Sequence, residues 1–374
     1  MDHNRSIYNL YYKWWKNVDK FIFSLIILLF LTGLFFSLVS TSLLVSDKLE
    51  TNDYTFFFKH LFFVFLGMII IFTLSSIDKE KLFKISPVIF IISLISLFLV
   101  PIIGVEVNSA QRWIDLYFLP RFQPIELVKP FLIILISLIL SSGKYSNIYF
   151  KYFLSFLITL IIALLLAAQP DIGQTLLVFF SWSVLIFISG INIVFLILSC
   201  LILSIILYLT INFVPKFEYI KNRILSFFNT ETGTHNAQSE KAIDSISSGG
   251  YFGKGIGEGT LKNRVPEAHT DYIISVISEE FGVIAIILII LMFLIFIYSV
   301  FKKVNLESEE RTKLILAGCV SLILVQAMIH IGVNIRLFPT TGMTLPFISY
   351  GGSSIISISI LSGIILNLTK RKIN

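Results

Sequence analysis

The segment Pro266-Glu267-Ala268-His269-Thr270-Asp271 sets three titratable side chains at the end of a long polar stretch, just before an apolar run that opens Tyr272-Ile273-Ile274. Side chains of these types move protons. Carboxylates and an imidazole at a membrane–water boundary are costly to keep there unless they are used. This segment is therefore the leading candidate for chemistry.

Three further segments are too polar for their apolar surroundings. The first runs from Ser109-Ala110-Gln111-Arg112-Trp113 to Arg121-Phe122-Gln123-Pro124-Ile125-Glu126-Leu127-Val128-Lys129-Pro130. Pro124 suits a first helical turn. Glu126 and Lys129, three apart, share a helix face. They read either as a helix-start ion pair beside an interfacial Arg112–Trp113 anchor, or as the lining of a cavity. Pro130 favours the cavity, because broken helix at membrane depth is tolerated where it lines one. Arg112, Arg121 and Lys129 could then hold a diphosphate. The second segment is Gln169-Pro170-Asp171-Ile172-Gly173-Gln174-Thr175, a near-loopless link between two apolar runs. Asp171 can cap the next helix; capping leaves Gln169 and Gln174 unexplained. The third, Asn334 to Ser354, contains Arg336, Pro339, Gly342, Pro346, Ser349, Tyr350, Gly351, Gly352 and Ser353, and reads as a re-entrant or broken helix start. On the helix after Asp271, Ser275, Ser278 and Gly282 fall within about 40° of one face. That stripe of small residues lines a groove or packs against a neighbouring helix. Glu279 and Glu280 lie off it and read as structural pairs.

These residues need a membrane scaffold to position them. The chain is 56% hydrophobic and 14% charged, with a mean hydropathy of +0.88. A soluble chain of this length would carry roughly 25% charged residues. A bilayer crossing takes about 20 apolar residues. Ten such stretches are readable, near 21–43, 57–76, 85–104, 125–142, 150–168, 174–189, 191–213, 272–300, 312–335 and 346–368. Lipid-exposed backbone must satisfy itself, so these are helices. The fold class is an all-α integral membrane protein, one polytopic unit over 1–374.

Lys and Arg set its orientation. The segments around Lys13–Lys20, Lys79–Lys84, Lys144–Lys151, Lys302–Lys313 and Lys370–Lys372 are basic. The alternate segments, the long loop aside, hold only Lys48, Lys59, Arg112, Arg121, Lys129 and Arg336. The first set is expected in the cytoplasm, with both termini. The net charge of +6 follows from that bias and carries no nucleic-acid signal. The long polar loop, about 214–268 between the seventh and eighth spans, falls outside. Its glycine run from Gly249 to Gly259 could cradle a phosphate or be plain turn chemistry. The first apolar run is too long for a signal peptide. Cys200 and Cys319 both fall within spans, which excludes a disulfide framework.

Together these segments resemble the SEDS family (shape, elongation, division and sporulation), whose members FtsW and RodA polymerise peptidoglycan. The resemblance covers nearly the whole chain. It rests on Arg112-Trp113, Gln123-Pro124 with Glu126 and Lys129, Gln169-Pro170-Asp171 with Gly173, Pro266 to Asp271 with Glu279-Glu280, and Pro346-Phe347 with Ser349 to Ser354. Gly257-Glu258-Gly259-Thr260 and Pro339-Thr340-Thr341-Gly342 are closer to the division branch than to the elongation branch. The chain departs from the family at Asn108 to Gln111, at Ile125 where a small residue is usual, and at Gln174 where Thr is common.

The resemblance implies glycosyl transfer on lipid II, the undecaprenyl-diphosphate-linked disaccharide peptide, making β-1,4 glycan strands in septal wall synthesis. It implies Asp271 as general base, beside which His269 is either an orienting residue or an interfacial histidine. It places Arg112, Lys129 and Arg336 toward the diphosphate. Substrate contacts are expected from these and from Gln123, Glu126, Gln169, Asp171, Glu267, His269, Ser349, Tyr350, Gly351, Gly352 and Ser353. A divalent cation, Mg²⁺ or Mn²⁺, is a possible cofactor with no readable ligand set. A class B penicillin-binding protein transpeptidase and other division proteins are the expected partners. The expected location is the bacterial plasma membrane at the septum. A lipid II flippase is the rival reading, since intramembrane charges and broken helices also suit a transporter; a recruiting scaffold is a third.

Overall fold

The computed structural model describes residues 12–40, 54–107, 110–115, 120–143, 147–214, 217–228, 234–259 and 270–370. The apolar stretches become α1 (Lys20–Ser40), α2 (Thr55–Ser76), α3 (Lys79–Ile103), α4 (Pro124–Leu140), α5 (Ile148–Ala168), α6 (Ile172–Ile188), α7 (Ile193–Phe213), α10 (Ile273–Leu306), α11 (Glu310–Asn334) and α12 (Gly352–Leu368). Seven of these are long and apolar enough to cross a membrane, and α6 and α12 are shorter apolar helices. The protein is a multi-pass, all-α membrane protein. A short antiparallel hairpin, β1 (Val105–Val107) with β2 (Ala110–Trp113), joins α3 to α4.

Helix starts follow local chemistry. Asn147 and Asn192 accept from Tyr149 N and Val194 N at 2.9 Å, opening α5 and α7. Asp19 accepts from Phe21 N and Ile22 N to open α1. Pro124 occupies the first turn of α4, where its missing N–H costs nothing. Hydropathy misplaces three ends. Helix α3 begins six residues early because Lys79-Glu80-Lys81 is polar yet helix-forming. Helix α10 runs on through Lys302 and Lys303. Helix α12 begins only at Gly352, because Pro346 to Gly351 is irregular and buried.

The core centres on α11 and α12. Along α12 nearly every side chain is buried, whereas α7 buries only Ser199 and Leu203. Helices α2 and α12 run side by side in one direction, and Asn367 closes their lower end with bonds to Leu74 O (2.6 Å) and Ile77 O (2.7 Å). The charged segments gather at two ends. At one, Glu309 pairs with Lys79 and Arg311, Arg311 reaches Glu80 at 2.8 Å, and Lys303 holds Asp19 at 2.7 Å. The hairpin, the start of α4, the start of α6 and the start of α10 lie at the other.

The polar loop differs from the unstructured excursion that its sequence suggests. It forms α8 (Glu218–Phe228) and α9 (Thr234–Gly249), and the glycine run packs onto α10. Helix α10 is broken at Gly282, which takes φ 77°, ψ 178°. Across the break it exchanges backbone hydrogen bonds with the turn after α9. Lys254 N and Gly255 N donate to Glu279 O and Glu280 O at 2.9 and 3.1 Å, and Val283 N and Ile284 N donate to Gly250 O and Tyr251 O at 3.0 and 3.3 Å. The glycines are there for close approach. A Cβ on Gly249 would sit 1.9 Å from Ser278 O, and one on Gly282 would sit 2.2 Å from Tyr251 O. The N–H groups of Lys254 and Gly255 are thus spent on α10, which argues against a phosphate cradle at this point of the run.

Candidate functional site

The start of α10 carries Asp271, half-buried. Its segment is gripped through the backbone. Asn334, at the end of α11, donates its Nδ2 to Asp271 O at 3.0 Å and accepts from Ser275 N at 3.3 Å. Ser349 donates to Thr270 O at 2.7 Å and accepts from Leu345 N at 2.9 Å. Gly342 comes close on the carboxyl side: a Cβ there would lie 3.7 Å from Asp271 Oδ2. The irregular segment before α12 therefore forms a wall beside Asp271. It is pinned by Phe347, which adopts a left-handed φ of 65° and stacks edge-on against Phe30 at 5.1 Å. A bulky residue holds such a φ only when its surroundings over-determine it.

The same wall touches a second cluster. Thr341 packs on Gly173 at the start of α6, and Ser353 Oγ accepts from Gln123 N at 3.0 Å. Asp171 caps α6 through Gln174 N (3.3 Å), accepts from Gln123 Nε2 (3.0 Å) and faces Arg112 Nε at 3.7 Å. Arg112 also donates to the carbonyls of Gln169 and Pro170. Gln169 turns inward and donates to Leu97 O at 3.3 Å. Deeper, Lys129 Nζ meets Glu126 Oε1 at 2.8 Å, and Gln174 Nε2 meets the same oxygen at 3.0 Å. Glu126 Oε2 and Gln174 Oε1 are buried with no hydrogen-bond partner among the described residues. An unpaired buried acceptor costs about 1–3 kcal/mol, so this pocket is expensive as it stands.

Lys129 is fully enclosed in its ion pair; meeting a diphosphate would require that pair to part. Arg121 is exposed and pairs with Asp115 at 2.8 Å. Arg336, at φ 57°, faces Glu240 of α9 at 3.7 Å. Tyr350 lies against Phe56 and His60; Gly351 and Gly352 fit tightly against Thr344 and the Phe63 ring. Glu267 and His269 lie outside the described residues. The stripe below Asp271 is a packing face: Ser275 and Ser278 are buried, and Ser278 lies under Gly249. Glu279 pairs with Lys254 at 3.2 Å and accepts from Ser245 at 3.1 Å.

Sequence reasoning passed over two side chains near Asp271. Gln326 and His330, on α11, bond Thr344 O (3.0 Å) and Met343 O (2.7 Å). Their signal was readable: with Asn334 they recur every four residues along the apolar second half of the helix. Among the described residues, no three His, Cys, Asp or Glu side chains group to hold a metal ion. A surface cavity of about 530 Å³, lined in part by Ser141, Gly143, Glu309 and Arg311, opens at the opposite end and contains none of these residues.

A fold with these clusters at one end of a helical bundle matches a known class. The sequence model of the FtsW/RodA/SpoVE cell cycle protein family covers residues 19–374, and the chain belongs to that family. Among its curated relatives, the probable peptidoglycan glycosyltransferase FtsW of Haemophilus influenzae is 33% identical over 360 residues, 94% of this chain and 90% of that one. The Caulobacter vibrioides protein of the same name is 29% identical over 364 residues, 96% and 91% of the two chains. Among solved structures, an aspartate-to-alanine mutant of Thermus thermophilus RodA, a rod shape determining protein, superposes with a TM-score of 0.70 at 25% identity over 94% of this chain and 97% of its own. A chain of a peptidoglycan synthase complex gives 0.77 at 24% identity, over 94% and 97%.

Proposed function

We propose that this chain is a peptidoglycan glycosyltransferase of the division branch, polymerising lipid II at the septum with Asp271 as general base. In this reading all ten apolar helices cross the membrane, both termini are cytoplasmic, and Asp271 lies on the outer side. The 4-hydroxyl of the incoming GlcNAc attacks C1 of the lipid-linked MurNAc. Its proton passes to Asp271, the C1–O bond to undecaprenyl diphosphate breaks, and a β-1,4 bond forms with inversion.

One observation carries the reading: a half-buried carboxylate has its backbone fixed by Asn334 and Ser349, and the wall that approaches it also touches the cluster around Asp171 and Gln123. A base must be held to act, and general-base assistance contributes about 10²–10⁴-fold in rate. Arg112 and Arg336 supply positive charge for the leaving diphosphate. A guanidinium carries five donors, so Arg112 keeps N–H groups beyond those bonded to the Gln169 and Pro170 carbonyls. A class B penicillin-binding protein would cross-link the product, in keeping with the family's solved synthase complex.

The test is polymerisation of labelled lipid II by purified protein in bilayers, run beside a translocation assay. Asp271→Asn is expected to stay folded and inserted and to lose polymer formation. Polymer at the wild-type rate would remove Asp271 from the mechanism. Translocation without polymer from the unaltered chain would establish a flippase instead.

A further inference from the structure

Three polar side chains stand four apart on one face of α11: Gln326, His330 and Asn334. Spacing of four brings side chains onto one face of a helix. All three are buried, with exposures of 2%, 1% and 0%. Buried polar groups inside a membrane helix are costly unless they hold something. Each reaches out of the helix. Gln326 bonds Thr344 O, His330 bonds Met343 O, and Asn334 bonds Asp271 O and His330 O. One helix face thus grips both the wall at Gly342–Thr344 and the aspartate that the wall approaches. His330 is the middle rung, touching the residue next to Gly342.

The chemistry of that rung is fixed by its partner. A carbonyl oxygen only accepts, so at 2.7 Å the Nδ1 atom must carry the proton. Nε2 is then a buried nitrogen with no partner among the described residues. The ring's useful act is a single N–H donation to Met343 O. We infer that His330 is a positioning residue for the glycosyl-transfer step, setting the distance between the Gly342 wall and the Asp271 carboxyl through its Nδ1–H bond to Met343 O. This rests on the polymerase reading above.

The inference makes a claim about donation rather than bulk. The amide nitrogen of Asn overlays Nδ1 of His and can give the same bond; Leu fills the space and cannot. His330→Leu is expected to lower kcat on lipid II by about ten- to a hundredfold, the scale of a 1 Å misplacement, with KM little changed. His330→Asn should recover most of that rate. Both variants should elute as monodisperse protein with melting temperatures near that of the unaltered chain, which separates positioning from misfolding. A His330→Leu variant with full kcat, or a His330→Asn variant as slow as His330→Leu, would overturn the inference while leaving the polymerase reading intact. Absence of polymer from the unaltered chain would overturn both.

Discussion

The two ends of the helical bundle handle charge in opposite ways. At the end bearing Glu309, carboxylates and cations meet in a partly exposed network, in which Glu309 takes Lys79, Arg311 and Thr312. Burial alone would raise the Glu309 carboxyl, yet those three donors outweigh it and hold it at about 2. Such pairs contribute little and cost little. At the end bearing Asp271, the Glu126–Lys129 pair is sealed from solvent and leaves acceptors unsatisfied. Desolvation at such a site can exceed the attraction it gains. A fold that needed only stability would not build the second arrangement, so the difference marks where function constrains this chain.

Breaking the sealed pair should have the largest effect. Lys129→Ala strands Glu126 and is expected to destabilise the protein by about 3–5 kcal/mol and to impair lipid II turnover. Replacing both partners with apolar residues, Glu126→Leu with Lys129→Met, should restore the melting temperature without restoring polymer. If the double variant polymerised at the wild-type rate, the pair would be scaffold and the contrast would fail. Gly282→Ala should come next: its Cβ would collide with Tyr251 O at a left-handed φ, costing about 1–3 kcal/mol, read as a drop in melting temperature. The smallest effect belongs to the exposed end, where Glu309→Gln should cost about 1 kcal/mol or less. Because the folded carboxyl is held below its ordinary value of 4.5, its contribution is complete above that pH and fades as pH falls toward 2. Melting curves of the two proteins should therefore converge in acid.

Much of this was legible in the sequence. Each apolar stretch falls on a helix because lipid leaves the backbone no other choice. Asp171 as a cap, Glu126 with Lys129, and the irregular start before Gly352 were readable from local spacing. The rest depends on contacts between distant segments. Nothing near Gly249 or Gly282 announces that one will sit against Ser278 and the other against Tyr251; glycine reports a tight spot without naming its neighbour. Helices α8 and α9 were missed because a polar stretch lacks the apolar run that marks a span. Gln326 and His330 were missed although their spacing was in plain view, because they are separated by many residues from the carbonyls that they bind.

The break at Gly282 gives α10 two unlike halves. From Ile273 to Glu280 every residue is buried, while beyond it Val283, Ile284, Ile287 and Leu288 face outward. The short piece therefore takes its bearing from the glycine turn and neighbouring helices, and the long piece turns an apolar face outward. The joint between them is clamped by four main-chain bonds to the turn after α9, so the end of the helix nearest the carboxylate is anchored to that turn as well as to its own shaft.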